Sequence, residues 1–237
     1  MKILLVIPAY NEEKIIKDTL LEVGQFLNEQ INDEYLVVVA DNRSADQTAE
    51  IVKELSSNDQ GLDYLFIEQK GKGIAIRTAW NKYQDQFDIF IFMDADLATD
   101  LKDFPALIQG IKDGNDIVVG SRYLKESEVT KTVLRRIFSF GYRLILRVFL
   151  GTKVKDLPCG FKAVNKKVIT EILPEVDNNT WFFDNEFVYL AEKKGFKIKE
   201  IPVKWQEPRT AENKSRVNII KVSWLYLKEI WRLKFKK

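Results

Sequence analysis

Apolar runs and amphipathic stretches alternate along the first half of the chain. Apolar runs of strand length lie at residues 3–7, 36–39, 64–67, 89–93 and 116–119. Apolar residues recur at the helical period of three or four positions at residues 12–27, 44–55, 74–83 and 101–111. Regular alternation of strands and helices with short connections predicts a mostly parallel sheet with helices on both faces. The expected fold class is therefore α/β.

Local signals set two of the predicted boundaries. Pro8 ends the first apolar run. Ser44, followed three residues later by Gln47, matches a capping box, in which the first side chain binds the free backbone N–H groups of a helix. We therefore expect the second helix to begin at residue 44.

The fourth apolar run, at residues 89–93, ends in two carboxylates, Asp94 and Asp96. Aspartate is unfavourable inside a strand, so the strand is expected to stop there. At the carboxyl end of a strand in an open α/β sheet, a D-x-D pair can bind one divalent cation. The alternative is that these aspartates cap the helix that begins near Leu101. This stretch alone leaves both interpretations open.

A polar loop follows each of the predicted strands. These loops lie at residues 8–13, 41–46, 69–73, 94–96 and 120–123. The carboxyl ends of parallel strands lie along one edge of a sheet, so we expect the loops to meet there. Their convergence favours a binding site over a set of unrelated helix caps.

The amino-acid composition excludes some kinds of partner, base and metal ligand. The 237 residues suffice for one large α/β domain or two small ones, and a net charge of +2 gives no reason to expect a nucleic-acid partner. The chain contains no histidine, which excludes a histidine base or a histidine metal ligand. Any metal is therefore expected to be held by oxygen.

The sequence also bears on the cellular compartment of the protein and on whether it spans a membrane. The one cysteine, Cys159, cannot form an intramolecular disulfide, and the N-terminus lacks the features of a signal peptide. No window approaches the ~20 apolar residues of a membrane span. We therefore expect a cytoplasmic location.

Two amphipathic segments in the second half carry clustered lysine and arginine. Residues 132–150 and 217–237 each combine a broad apolar face, rich in aromatic residues, with basic residues. This pattern is typical of helices that lie in the membrane interface and are attracted to anionic lipid. The alternative is that both helices pack on the core or on each other.

The loop sequences form an ordered set. PAYNEE, ADNRSADQT, KGKG, MDADL and GSRY follow one another along the first half, and DLPCGFK, FFDNEF, GFKIKEIPVKW and NKSRVN follow along the second. The first set resembles the family 2 glycosyltransferases, which have the nucleotide-sugar-binding GT-A fold. With the second set, the chain resembles the polyprenyl-phosphate sugar synthases, including the dolichyl-phosphate mannose and glucose synthases. The resemblance covers nearly the whole chain.

The resemblance implies a function and a division of the chain. It implies transfer of mannose or glucose, with inversion, from GDP-mannose or UDP-glucose to polyprenyl phosphate, assisted by Mg²⁺ or Mn²⁺. The catalytic domain is then residues 1–212, with a nucleotide-sugar half at 1–123 and an acceptor half at 124–212. Residues 213–237 form a basic amphipathic helix.

Relatives often carry spanning helices after this point. We therefore expect peripheral attachment to the cytoplasmic face of a membrane, or a separate membrane-protein partner.

The resemblance also assigns donor-side residues. Asp96 is the first expected metal ligand and Asp94 the second. The expected nucleotide-sugar site consists of Pro8, Ala9, Tyr10, Glu12, Asp41, Lys70, Gly71, Lys72 and Asp94. For Pro8 and Tyr10 a turn and a packed ring are the alternative, and lysine and glycine are also common loop residues.

Two positions depart from the family pattern. Asn42 replaces a carboxylate, and Ala98 replaces a glutamine that often helps to bind metal.

Acceptor-side residues follow from the same resemblance. A phosphate monoester has a second pKa of about 6, so at neutral pH it can attack without a strong base. Arg122, Arg135, Lys214, Ser215 and Arg216 match the family's phosphate-binding positions, although Arg135 could instead lie on a solvated helix face. Asp184 and Glu186 occupy the place where other GT-A enzymes carry a base. Here they are expected to orient sugar hydroxyls or an arginine.

Two other functions stay open from the sequence. A family 2 transferase acting on a saccharide hydroxyl would need a true base at Asp184 or Glu186. A non-catalytic nucleotide-sugar-binding protein would need no turnover. A dinucleotide-binding protein is not expected, because no GxGxxG follows the first strand.

Overall fold

The first half of the chain follows the predicted alternation of strands and helices. The computed structural model describes residues 1–206 and 219–236, with the side chains of all of these except 133–135 and 219–224. Up to the fifth strand the elements are β1 (Lys2–Ala9), α1 (Ile16–Gln30), β2 (Glu34–Asp41), α2 (Thr48–Asn58), β3 (Leu62–Phe66), α3 (Lys72–Tyr83), β4 (Ile89–Met93), a 3₁₀ turn (Leu101–Asp103), α4 (Phe104–Lys112) and β5 (Ile117–Ser121). All five predicted strands are present.

The second half adds further strands and the two amphipathic helices. Its elements are β6 (Glu128–Thr130), α5 (Val133–Leu150), β7 (Phe161–Asn165), α6 (Lys166–Glu171), a 3₁₀ turn (Leu173–Glu175), α7 (Phe183–Lys193), β8 (Ile198–Pro202), β9 (Lys204–Gln206) and α8 (Ile219–Lys234). Helices α5 and α8 coincide closely with the segments that the sequence marks as amphipathic.

The central sheet contains seven strands in the order β3-β2-β1-β4-β7-β5-β8. Strand β7 runs antiparallel to both β4 and β5, whereas the other neighbours in this sheet pair in parallel. The prediction of a mostly parallel α/β sheet is confirmed. The sequence did not predict β7, which separates β4 from β5 and brings Lys162 opposite Phe92.

Two predicted helix starts are four residues early, and the first of these helices, α1, begins at Ile16 rather than at residue 12. Helix α2 begins at Thr48 rather than at residue 44, and Gln47 makes no side-chain cap. Ser44 Oγ instead accepts a hydrogen bond from the backbone N–H of Asn11 at 2.9 Å. Thr48 Oγ1 accepts one from the N–H of Glu12 at 2.8 Å. The hydroxyl of Ser44, which the sequence predicts to cap a helix, therefore joins the loop after β1 to the loop after β2. The hydroxyl of Thr48 joins the loop after β1 to the start of α2.

An aromatic cluster around Trp80 joins α3 to the sheet and to α7. The Trp80 ring, which is fully buried, lies 5.7 Å from the Phe92 ring on β4 and 5.5 Å from the Phe187 ring on α7. Tilted aromatic contacts of this kind contribute about 0.5–1.5 kcal/mol beyond area burial. The cluster therefore packs α3 and α7 together against β4.

Helices α5 and α8 pack against each other. The Tyr226 ring of α8 lies 5.4 Å from the Tyr142 ring of α5, and Ile230 and Leu233 of α8 are buried in the core. The packing that the sequence analysis gives as the alternative to a membrane-interface position is therefore present on one side of each helix. No helix within residues 1–206 and 219–236 is long and apolar enough to cross a bilayer.

Two helical glycines should respond in opposite ways to alanine. A Cβ at Gly110 of α4 would lie 2.6 Å from Val118 Cγ2 of β5, whereas a Cβ at Gly24 of α1 has no heavy atom within 4 Å. We expect Gly110→Ala to lower the free energy of unfolding by about 1–3 kcal/mol through overpacking. Gly24→Ala should raise it by about 0.5–1 kcal/mol through helix propensity. Urea denaturation measures both, and a Gly110→Ala protein as stable as the Gly24→Ala protein would contradict the packing of α4 on β5.

Candidate active site

The loops at the carboxyl ends of the strands converge as the sequence predicts. The loop after β1 bonds to the loop after β2 through Asn11 and Ser44. Asn42, after β2, donates from Nδ2 to the carbonyl of Gln69, after β3, at 2.7 Å. The backbone N–H of Asp94, after β4, donates to the carbonyl of Gly160, just before β7, at 3.1 Å. One polar site therefore lies at this edge of the sheet.

The alternative in which the D-x-D aspartates cap a helix is wrong. Asp100 takes that place, because its Oδ1 accepts from the N–H of Lys102 at 3.0 Å at the start of the 3₁₀ turn. Asp94 and Asp96 instead line a pocket formed by three loops and by residues of β4, β7 and β9. Asp96 Oδ1 accepts a local hydrogen bond from the backbone N–H of Ala98 at 3.1 Å.

The electrostatics of the D-x-D pair suit a cation. The pKa of the Asp96 carboxyl is raised, first because surrounding protein displaces water from it and second because of the nearby charge of Asp94. A raised pKa of this origin means that the ionised Asp96 carboxylate is short of positive charge, although Asp94 is paired with Lys72. A hard divalent cation would supply it.

Lys72 connects Asp94 to the first turn of α7. Its Nζ lies 2.7 Å from Asp94 Oδ1 and 3.2 Å from Asp184 Oδ2. Burial alone would lower the pKa of Lys72, but the two carboxylates raise it above its ordinary value, so the lysine is charged. Lys72 therefore holds the loop after β4 and the first turn of α7 together.

Lys162 extends this arrangement into the interior. It is fully buried on β7, and its Nζ lies 3.6 Å from Asp184 Oδ1. Its ammonium also donates to the backbone carbonyl of Cys159. Burial lowers the pKa of Lys162, although Asp184 opposes that shift. Asp94, Lys72, Asp184 and Lys162 thus form a row of alternating charges, which we call the charge row.

The glycines of KGKG are required by packing. Gly71 has a φ of 142°, and a Cβ there would lie 2.1 Å from the carbonyl oxygen of Asn179. A Cβ at Gly73 would lie 2.6 Å from the Cβ of Phe183. Asn42 holds the same loop from its other side, since its Oδ1 accepts from the N–H of Gly71. Asn42, which departs from the family pattern, therefore has a structural role that the sequence did not predict.

Arg122 is held rigidly at the pocket wall. Its Nε and Nη2 donate to the two carboxylate oxygens of Asp156, each at 2.8 Å. Asp156 is fully buried, which would raise its pKa, but the guanidinium holds that pKa below its usual value. Arg122 lines the same pocket as Asp94 and Asp96. Its Cζ lies 5.6 Å from the centre of the Trp205 ring. Its role in binding acceptor phosphate stays a prediction.

The expected nucleotide-sugar residues lie together along β1 and β2. Pro8 and Ala9 end β1, and Tyr10 follows them, with Lys70 Nζ 5.3 Å from the centre of its ring. Asp41 is buried at the end of β2 and accepts hydrogen bonds from the Ser44 N–H at 3.0 Å and the Tyr64 hydroxyl at 2.8 Å. The backbone N–H of Glu12 is bound to Thr48. Their contacts with a nucleotide stay predictions.

Both carboxylates of FFDNEF are buried and paired with cations. Asp184 belongs to the charge row. Glu186 Oε2 accepts from Arg232 Nη2 and from the N–H of Asn178, both at 2.8 Å. Glu186 Oε1 lies 3.1 Å from Lys236 Nζ. This geometry favours the orientation of an arginine by Glu186 and does not favour a base at either position.

Four expected acceptor-side residues have no described side chain. Lys214, Ser215 and Arg216 fall outside the described residues, as does the side chain of Arg135, whose backbone lies in the first turn of α5. Their assignments stay predictions. Lys162 and Asp156 are site residues that sequence reasoning missed. A lysine inside the apolar run of β7 was the available signal for the first of them.

The charge row gives a stability prediction. Lys72→Met should lower the free energy of unfolding by about 3–5 kcal/mol, because it leaves the buried Asp184 short of positive charge. Adding Asp184→Asn should recover part of that loss, since Lys162 can then release its proton. Urea unfolding measures both proteins. Lys82→Met, at a surface lysine 3.9 Å from Asp63, is the control and should change stability by about 0.5 kcal/mol or less. A double variant less stable than Lys72→Met would count against the pairing.

Comparison with known proteins agrees with this geometry. A family model described as Glycosyl transferase family 2 matches residues 4–173. Glycosyltransferase AglD of Haloferax volcanii is 29% identical over 209 residues, which are 87% of this chain and 33% of that protein. A dolichyl-phosphate beta-glucosyltransferase of Dictyostelium discoideum is 30% identical over 252 residues, covering 97% of this chain and 76% of that protein. A dolichol-phosphate mannosyltransferase of Pyrococcus furiosus is 31% identical over 236 residues, covering 98% and 64%.

A solved structure shares the fold. Glucosyl-3-phosphoglycerate synthase from Mycobacterium tuberculosis, in complex with Mn²⁺ and UDP-glucose, matches with a TM-score of 0.69 at 17% identity, over 98% of this chain and 78% of that chain. The α/β sheet is thus the GT-A fold that the resemblance implies. With the family model matching more than half of its length, the chain belongs to glycosyl transferase family 2 and is a glycosyltransferase.

Proposed function

We propose that the chain transfers a hexose, glucose or mannose, from a nucleoside diphosphate sugar to polyprenyl phosphate, with inversion at the anomeric carbon. The observation that carries the proposal is the pairing of both acidic residues of FFDNEF with cations. Asp184 lies between two lysines, and Glu186 is bound by Arg232 and Lys236. A hydroxyl acceptor needs a base, whereas a phosphate dianion does not. The similarity to the Dictyostelium and Pyrococcus enzymes supports a phosphate acceptor on a dolichol-type lipid.

The D-x-D residues fit a bound Mg²⁺ or Mn²⁺. Asp96 would be the first ligand and Asp94 the second, and oxygen donors suit either ion. The described part of the chain holds no cluster of three or more candidate protein ligands, so other ligands would come from the diphosphate and water. When bound, the ion supplies positive charge to the leaving diphosphate. The likeness to the Mycobacterium synthase, whose crystal structure contains Mn²⁺ and UDP-glucose, supports this assignment.

Lys72 supplies a fixed positive charge on the donor side. It begins α3, directly after the glycine that brings the loop against residue 179. A helix N-terminus and a buried ammonium both favour an anion, so loop 70–73 is suited to the diphosphate. Because Asp94 and Asp184 hold Lys72 in place, no reorganisation is needed as charge develops.

Arg122 is the described residue best suited to position the attacking phosphate. Asp156 fixes its guanidinium with two hydrogen bonds, so its direction is set before the acceptor arrives. Arginine can bind a phosphate bidentately, which fixes the angle of attack as well as neutralising charge. Residues 1–212 would then form the catalytic domain, with residues 124–212 on the acceptor side.

Helices α5 and α8 are suited to a membrane surface that holds the acceptor. Beyond their mutual packing they leave large side chains exposed, which we call the α5–α8 apolar surface: Ile137, Phe138, Phe140, Leu144, Val148, Phe149, Leu225, Trp231 and Phe235. Basic residues lie among them, and Lys234 Nζ is 5.4 Å from the centre of the Phe149 ring. Exposed apolar area of this extent beside cations is typical of proteins that bind anionic lipid surfaces.

Turnover with a panel of donors tests the function. We expect the protein, incubated with prenyl phosphate, Mn²⁺ and GDP- or UDP-sugars, to form a prenyl-phosphate hexose from one donor class. Asp96→Ala should reduce the rate by more than about 100-fold, because loss of outer-shell metal contacts alone costs about 10–100-fold. Asp100→Asn, in the same loop, is the matched control and should retain activity. Transfer to an alcohol acceptor but not to the phosphate would contradict the proposal.

Liposome flotation tests the membrane surface. Trp231→Ser combined with Phe235→Ser should reduce the fraction of protein that floats with anionic liposomes, because both rings are 61% exposed and their removal subtracts apolar area from the surface. Phe66→Ser, which removes a ring that is 53% exposed on β3, is the control and should float like the wild type. Equal flotation of all three proteins would rule out a role for this part of α8.

A further inference from the structure

The last turn of α8 and the residues directly after it hold the segment that precedes α7. Arg232 Nη1 lies 2.9 Å from Asp177 Oδ2, and Arg232 Nη2 lies 2.8 Å from Glu186 Oε2. Lys236 Nζ lies 2.7 Å from Asp177 Oδ2 and 3.1 Å from Glu186 Oε1. Two cations four positions apart therefore bind the same two carboxylates. We call Arg232 and Lys236 the α8 clamp.

The clamp is needed because Glu186 is fully buried. A buried carboxylate without a cation is strongly unfavourable, so Glu186 depends on these two partners. Its Oε2 also accepts from the backbone N–H of Asn178 at 2.8 Å. The clamp thus fixes the side chain of Glu186 and, through it, the backbone at residues 177–179.

Residues 178–179 lie directly against the donor-side loop. The carbonyl of Asn179 accepts from the N–H of Ile74 at 3.0 Å, and its Oδ1 accepts from Arg77 Nη1 at 2.7 Å. The close approach of Asn179 leaves no room for a side chain at Gly71. The position of residues 178–179 therefore decides where Gly71 and Lys72 lie.

We propose that Arg232 and Lys236 are positioning residues for the diphosphate of the donor. They act on loop 70–73 through Glu186 and residues 178–179. Each step of this path is a direct contact. The inference rests on the proposed function, in which loop 70–73 binds the donor diphosphate. The path connects the proposed donor site to the C-terminal end of α8, where the rings of Trp231 and Phe235 are exposed.

Nucleotide binding by the full chain tests the clamp. With Mg²⁺ present, Arg232→Gln should weaken binding of UDP or GDP, whichever the wild type binds, by about fivefold or more, a typical coupling between sites. Arg232→Lys keeps the charge and should recover part of the affinity. Lys228→Gln, at an exposed lysine on the same helix, is the control and should bind like the wild type. Hydrogen exchange should become faster at residues 71–76 in Arg232→Gln.

A split between the two substrates separates positioning from general damage. In Arg232→Gln the KM for the nucleotide sugar should rise, while the KM for prenyl phosphate changes by less than about twofold, well below a typical coupling between sites. If Arg232→Gln does not fold, Lys236→Met carries the same test, since that lysine is partly exposed. Unchanged nucleotide affinity, or equal loss for both substrates, would overturn the inference. Failure of the wild type to bind any nucleotide diphosphate would instead overturn the proposed function.

Discussion

The charge row at the carboxyl edge of the sheet is the interaction on which the site depends. It runs from Asp94, which is half exposed, through Lys72 and Asp184 to the fully buried Lys162. Each charge has an opposite neighbour, so the row can persist where an unpaired charge could not. It joins the ends of β4, α3, α7 and β7, and the aromatic cluster around Trp80 packs the same elements below it.

This row prepares the site for anions. Asp94 and Asp96 are suited to a cation, Lys72 belongs to the loop that we propose binds the donor, and Arg122 is fixed separately by Asp156. Positive charge is therefore available on both sides of the sugar. On one side it would stabilise the leaving diphosphate, and on the other it would bind the attacking phosphate. The acidic residues of α7 serve to hold cations in place, which is why the proposed chemistry does not use them as bases.

The sequence predicted local features well and long-range pairings poorly. Strands β1 to β5, the end of β4 at the D-x-D pair, and both amphipathic helices follow from patterns within a few residues. Strand β7 was missed because it is short, antiparallel and interrupted by Lys162. The capping box was wrong because Ser44 binds a loop 33 residues away. The pairing of Glu186 with Arg232 spans 46 residues, and no local pattern reports such a contact.

The pH dependence of kcat/KM for transfer to prenyl phosphate tests the account most directly. If the acceptor attacks as a dianion, the rate should rise with the acceptor's own second ionisation, at a pH of about 6, and then level off. With a prenyl phosphonate of higher second pKa, the rise should move to higher pH by the same amount. A rise that stays at one pH with both acceptors would assign the ionisation to an enzyme base and contradict the account.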